Sequence, residues 1–163
     1  MNNGKSSPTP DDLSELVEQF QVSPPFNACL LLVHPQIPTL NATVEWLVEK
    51  YGWPVVSVGG LLAKPLLDLP PRRRPSQVSR LFAEIMDDYR PGPLVCHNID
   101  LLFEPSLHLD PLRLFLNVSR QTALIAAWPG SYEDHTIAYA VPDHGHYRVW
   151  SNPDVCDYCI VSL

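Results

Sequence analysis

The chain alternates between two hydrophobic rhythms. Leu13, Leu16, Val17 and Phe20 fall at the i, i+3, i+4, i+7 spacing of one helical face. Thr9, Pro10 and Asp12 ahead of them make a capping pattern with proline at the first helical position, so a helix is expected to run to about Phe20. Ala28-Cys-Leu-Leu-Leu-Val33 is instead continuously apolar, as a parallel strand covered on both faces must be. Leu40, Val44, Leu47, Val48 and Tyr51 return to the helical period, with Gly52 as the stop. Trp53–Val58 predicts a second strand ended by Gly59-Gly60, followed by a turn or two of helix at Leu61–Leu67. After a loop from Asp68 to Pro75, Val78, Leu81, Phe82, Ile85 and Tyr89 align on a helix over Ser76–Tyr89. Leu94–Ile99 is a third strand. Asp110-Pro111 opens a further helix with Leu112, Phe115 and Leu116 inside. Ala123–Ala127 is a fourth strand, stopped by Trp128-Pro129-Gly130.

From about residue 136 the pattern changes to short β-like runs at Ile137–Val141, Tyr147–Trp150 and Val155–Ser162. Strand and helix alternate up to residue 127, which predicts an α/β three-layer fold. The expected parallel sheet has about five strands, with a small C-terminal β extension. Residues 1–8 read as a flexible leader and 9–163 as a single domain, a size that 163 residues suit. Apolar residues make up 45% and charged residues only 18%, so the chain has material for a core and does not read as disordered. Most of the 18 prolines mark element boundaries, whereas Pro35 and Pro38 sit in the loop after the first strand.

The net charge of −7 disfavours binding of a phosphate backbone by the surface as a whole. Arg72, Arg73 and Arg74 form a local basic patch that could touch DNA, although a solvated loop is the commoner use of such a run. No apolar stretch approaches the ~20 residues that span a bilayer, and the N-terminus has no signal-peptide core. A cytoplasmic protein with four reduced cysteines is therefore expected. Cys29 and Cys96 lie in apolar runs. Cys156 and Cys159 form a single CxxC in a β-rich tail, where a redox pair would normally open a helix and a zinc site would need two more ligands. No metal site is expected. G-x-S-x-G and H-E-x-x-H are both absent, which leaves hydrolase and metalloprotease chemistry without local support.

Ligands of an open parallel sheet bind beyond the carboxyl ends of its strands. The loop after the first strand begins at His34. A phosphate-binding loop there would read G-x-x-x-x-G-K-[S/T], because backbone N–H groups wrap the phosphates and a lysine neutralises them. The eight positions are His34-Pro-Gln-Ile-Pro-Thr39-Leu40-Asn41, with His34 and Thr39 at the glycine positions, Leu40 at the lysine and Asn41 at the hydroxyl. The chain's three lysines, Lys5, Lys50 and Lys64, lie elsewhere. The third strand would end in an aspartate that holds magnesium through water. His97 stands there, with Asn98 next and Asp100 three residues on, at a position of opposite strand parity. Arg120 precedes the fourth strand and could reach a phosphate of its own or a neighbouring subunit, though a helix C-terminus also favours an arginine. His144 and His146, two apart in an expected hairpin, could share a face.

The stretch from His97 to Phe115, with Ser119-Arg120, Ala127-Trp-Pro-Gly130 and Tyr139–Tyr147, resembles BrxF, the small P-loop protein of one type of BREX phage-defence system. The resemblance covers roughly residues 28–150 and is densest from 94 to 148. It implies a P-loop NTPase-like domain with ATP and Mg2+ as cofactors. Its implied partners are a large ATPase, a DNA methyltransferase, a helicase and an alkaline-phosphatase-like protein. The family carries G-x-G-K-T in its first loop and Asp-Asn-Ile after the later strand. This chain keeps Asn98-Ile99 but lacks the glycine-lysine-threonine element and the aspartate. The expectation is thus an accessory component of the defence assembly with an inactive nucleotide pocket. The alternatives are a weak ATP-binding protein or ATPase completed by a partner, and a DNA-contacting adaptor.

Overall fold

The computed structural model describes residues 6–163, so the first five positions of the expected leader lie outside it. Helix α1, Pro10–Val22, begins at a capping box. The Thr9 side chain accepts from the Asp12 N–H, and the Asp12 carboxylate accepts from the Thr9 N–H at 2.8 Å. Strand β1, Cys29–His34, leads into α2, Ile37–Tyr51, which Gly52 ends in the left-handed conformation at φ 67°. Strand β2, Val55–Ser57, passes directly into α3, Val58–Leu67, and α4, Arg74–Asp87, follows. Strand β3, Leu94–His97, leads through two short 3-10 turns to α5, Pro111–Val118. Asp110 caps α5 by accepting from the Arg113 N–H at 3.1 Å. Strand β4 is Leu124–Glu133, β5 Thr136–Tyr139, β6 Arg148–Ser151 and β7 Ile160–Ser162.

Five strands pair in parallel in the spatial order β2-β3-β4-β1-β7, and β4, β5 and β6 continue as an antiparallel hairpin. The fold is therefore α/β, with a mostly parallel seven-stranded sheet flanked by helices. Numbered among themselves, the five parallel strands run 2-3-4-1-5. This matches neither the 3-2-1-4-5-6 order of dinucleotide-binding sheets nor the flavodoxin-like 2-1-3-4-5.

Strand alternation divides the core into two layers. Leu30, Leu32, Val95, Ile125, Ala127 and Val161 meet Leu13, Val17 and Phe20 of α1 and Leu40, Val44 and Leu47 of α2. Cys29, Leu31, Val33, Cys96, Ala126 and Trp128 meet α3, α4 and α5 on the other face. Side chains such as Phe20 and Leu47, fully removed from water, each contribute roughly 1.5–3 kcal/mol. Of the apolar run from Leu101 to Leu116, Leu102, Phe103, Leu107, Leu112 and Phe115 are buried, so it is mostly core. No helix among the described residues is long and apolar enough to cross a membrane.

The structure corrects several expectations. Helix α2 starts at Ile37 rather than Leu40. Gly59-Gly60 do not end a strand but form the first turn of α3, whose N-cap Ser57 accepts from the Gly60 N–H at 3.2 Å. The expected Asp68–Pro75 loop contains a 3-10 turn and the start of α4, where Arg74 Nε donates to the carbonyls of Leu66 and Leu69.

Trp128-Pro129-Gly130 does not stop β4, which runs on to Glu133. Pro129 needs no N–H there, and its carbonyl accepts from the Ala140 N–H. Gly130 lets the hairpin close, since a Cβ on it would stand 1.8 Å from the Ala138 carbonyl oxygen. The last run forms a strand only over Ile160–Ser162, and that strand is the edge of the parallel sheet beside β1 rather than part of a separate extension.

Candidate functional site

The carboxyl edge of the sheet is where α/β folds bind ligands. His34 ends β1 and His97 ends β3, with β4 between them: His34 lies opposite Pro129 of β4, and Cys96 lies opposite Ala126. By strand parity both histidines, and Ser57 opposite His97, lie on the face covered by α1 and α2. Both histidines are half-buried. The sequence placed the two residues after the first and third strands; that they share a face follows from the pairing register, and no phosphate-wrapping loop accompanies them.

Only Pro35 and Gln36 separate β1 from α2, so no backbone wraps around a ligand there. Pro35 and Pro38 remove two N–H groups. The Gln36 N–H is taken by His34 Nδ1 at 3.0 Å, and the Leu40 N–H by the Gln36 carbonyl at 3.3 Å. Because His34 Nδ1 accepts, a neutral His34 carries its proton on Nε2. Leu40 is 2% exposed and packs in the α1–α2 core layer, so the position that would hold a lysine points away from solvent. Thr39 is half-buried and Asn41 exposed. His34 and Thr39 line a cleft of about 350 Å³ with Thr43, Trp46, Leu13 and Leu163, and among the described residues no Asp, Glu, Lys or Arg side chain borders it. Thr43 and Trp46 escaped notice in the sequence, although they follow Thr39 at i+4 and i+7 on the same helix face.

The β3 end is polar but structural. Asn98 adopts a left-handed φ of 51°, its Nδ2 donates to Ser57 Oγ at 2.9 Å, and its carbonyl accepts from the Gly59 N–H at 2.8 Å. A Cβ on Gly59 would come within 3.1 Å of Asn98, which favours glycine after Val58 in the first turn of α3. Ser57 was not anticipated; the signal for it was an N-cap serine three residues before Gly60. Asn98→Ala is expected to lose about 1–2 kcal/mol, from one hydrogen bond and from a left-handed backbone that asparagine tolerates better than alanine. The urea midpoint measures this, and an unchanged midpoint would sink the account.

The parity argument for Asp100 falls away, because β3 ends at His97 and Asp100 begins a 3-10 turn. Its Oδ1 accepts from Tyr139 Oη at 2.7 Å, which fastens the hairpin to this segment. Burial first, and then the Asp100 carboxylate, push the Tyr139 hydroxyl well above its ordinary pKa. The Tyr139 ring stacks on Phe103 at 3.6 Å, and Phe103 also meets Trp128 and Trp150 edge-on. Trp150 Nε1 donates to Asp110 Oδ1 at 3.1 Å, so one carboxylate caps α5 and holds β6.

The remaining candidates are scattered. Arg120 lies at the opposite end of the sheet: its Nε donates to Asn27 Oδ1 at 3.4 Å, ahead of β1, and its guanidinium covers the Phe26 ring. It cannot reach a ligand at the carboxyl edge of its own chain. Arg74 is committed to backbone carbonyls, which leaves Arg72 and Arg73 exposed. His144 and His146 lie in the loop between β5 and β6 with rings 5.5 Å apart, and His144 Nδ1 accepts from the His146 N–H. Among the described residues no three metal-ligating side chains gather. A second cleft of about 590 Å³ lies between α4 and α5, on the far layer from His34. The residues at the edge do not fit ATP–Mg2+, since buried Leu40 stands where the lysine would and His97 where the magnesium aspartate would.

Comparison of the chain with family models, with curated proteins and with solved structures finds no match.

Proposed function

We propose that this chain is an accessory component of a BREX phage-defence assembly, BrxF-like in origin, with a P-loop NTPase-like fold whose nucleotide edge has become structural. The resemblance from His97 to Tyr147 motivates the assembly. The sheet order supports the fold type, because it sets the ends of β1 and β3 on either side of β4 at one edge. The observation that carries the loss of chemistry is the two-residue connection from β1 to α2, with Leu40 turned into the core. On this reading the protein acts through larger partners, and its own carboxyl edge holds no Mg-ATP. A weak ATPase completed by a partner would need that partner to supply both the cation and the magnesium carboxylate. A DNA adaptor would rest on Arg72 and Arg73 alone.

Thermal unfolding with and without millimolar Mg-ATP tests the pocket. No shift is expected, whereas a ligand at 100 times its Kd would add ~2.7 kcal/mol. An upward shift abolished by Thr39→Ala or Asn41→Ala would overturn the inactive pocket. In cells carrying the defence system, removing this chain should lower protection against phage. The Thr39→Ala/Asn41→Ala double variant should restore protection as well as the unmodified chain does. Protection unaffected by removal would end the accessory role.

A further inference from the structure

The nucleotide reading leaves the paired cysteines near residue 160 unused, and the structure places them differently from the sequence. They do not lie in an extended β tail. Cys156 is the N-cap of a one-turn 3-10 helix, Asp157–Cys159, and the Cys159 N–H donates to the Cys156 carbonyl at 2.8 Å. A turn closed in this way holds its first and fourth Cα atoms within about 7 Å. A disulfide spans Cα separations of about 4.4–6.8 Å. The turn itself therefore brings the two residues into bonding range, without movement of the sheet.

We propose that Cys156 and Cys159 form a dithiol–disulfide site that is oxidised by low-molecular-weight disulfides, with Cys156 as the attacking thiol. This inference stands apart from the proposed defence role. Exposure sets the order of events. Cys156 is exposed, Cys159 is 1% exposed, and Cys29 and Cys96 are fully buried. Burial also raises the Cys159 thiol to about 12, with Cys156 beside it adding to the rise, so the exposed Cys156 is the sulfur a dissolved disulfide meets first. Burial pushes Cys96 to about 12 and Cys29 well above the ordinary thiol value, which makes both internal controls.

The Cys156 thiolate attacks one sulfur of the small disulfide. That S–S bond breaks, and the departing thiolate takes a proton from water. The hydroxide left by that protonation takes the Cys159 proton, and the Cys159 thiolate attacks the Cys156 sulfur of the mixed disulfide. As that S–S bond breaks, the second small thiolate leaves and takes up the proton that Cys156 released on ionising. Two protein thiols are oxidised by two electrons, and one small disulfide is reduced to two thiols.

The site is anchored on both sides. Tyr158 Oη donates to the Ser23 carbonyl, just past α1, at 3.1 Å, and Cys159 packs in the core layer of α1. Two thiolates are half of a tetrahedral zinc set, and no third ligand gathers beside them among the described residues. The redox reading is therefore the one the geometry favours.

The test treats the folded full chain with oxidised glutathione, removes the excess, alkylates remaining thiols near neutral pH before and again after unfolding with distinguishable reagents, and maps the products by mass spectrometry. The wild-type chain should lose two hydrogens and carry a Cys156–Cys159 disulfide, with Cys29 and Cys96 alkylated only after unfolding. Cys159→Ala should stop at a glutathione adduct on Cys156, and Cys156→Ser should take up neither glutathione nor a disulfide. Cys156 is exposed, so its replacement leaves the fold intact. If Cys159→Ala fails to fold, the wild-type and Cys156→Ser maps decide. A stable glutathione adduct on wild-type Cys156, a disulfide that forms only after denaturation, or one that persists in Cys156→Ser would each overturn the proposal.

Discussion

Lysine in place of Leu40 should cripple the fold instead of restoring a phosphate site. The position is the one at which a phosphate-binding loop carries its cation, yet it faces Leu13, Val44 and Leu47 in the layer between the sheet and α1–α2. An ammonium there loses its water, finds no carboxylate in that apolar layer, and sits in the first turn of a helix where the dipole disfavours positive charge. The expected loss at pH 7 is about 3–5 kcal/mol, the range for an uncompensated buried charge. That is a large part of the roughly 5–15 kcal/mol that holds a domain together. The sign of the pH effect follows from burial, which depresses the folded-state pKa of the introduced ammonium below its unfolded value of ~10.4. Between those two values the unfolded chain binds the proton and the folded chain does not, so stability rises with pH and the penalty is smallest above ~10.4. Urea unfolding of Leu40→Lys at pH 7 and at pH 10 measures both the loss and its slope. A variant as stable as wild type that gains a Mg-ATP-dependent rise in Tm would show that the loop is a nucleotide site after all.

Trp128→Ala should cost about 3–5 kcal/mol, as large aromatic truncations in cores do. The indole is fully buried, meets Phe103 and Trp150 edge-on, and donates from Nε1 to the Ala138 carbonyl at 2.9 Å. It stands where β4 leaves the parallel sheet for the hairpin, so its loss opens a cavity and also leaves a strand carbonyl without its donor. Loosening is expected at the hairpin first. Near-UV circular dichroism should fall, and limited proteolysis should cut the loop between β5 and β6 before the helices. Wild-type resistance in that loop, with a small change in the urea midpoint, would mean that the aromatic cluster does not hold the hairpin.

What could be read ahead of the structure was what is decided locally. Thr9 and Asp12 cap α1, and Asp110 caps α5, through partners three residues away. Leu30–Val33 announces a strand buried on both faces because every residue in it is apolar. Pro129 and Gly130 misled for the opposite reason. Alone they are breakers, and only the Ala138–Ala140 segment folding back onto them makes a proline acceptable and a glycine necessary. Strand β7 was absorbed into a tail because three residues carry no period, and its partner β1 lies far back in the chain. At the candidate site, the edge and the missing lysine were legible from position alone. The shortness of the β1–α2 connection was not, because it depends on α2 starting a turn earlier, at Ile37. For Arg120 position alone decides the matter: a residue before a parallel strand lies at the amino end, away from the ligand edge.

The place of β1 has a consequence for how the protein is made. It leaves the ribosome well before either of its neighbours, β4 and β7. Until Leu124 is synthesised, Leu30–Val33 has no native partner on either side, and one flank stays open until Ile160–Ser162 arrives. Pairings of such long sequence separation form slowly, and an apolar strand with open edges invites association with other chains. The nascent chain is therefore most exposed to aggregation between the emergence of β1 and that of β4 and β7. Pairing of β7 with β1 closes that window.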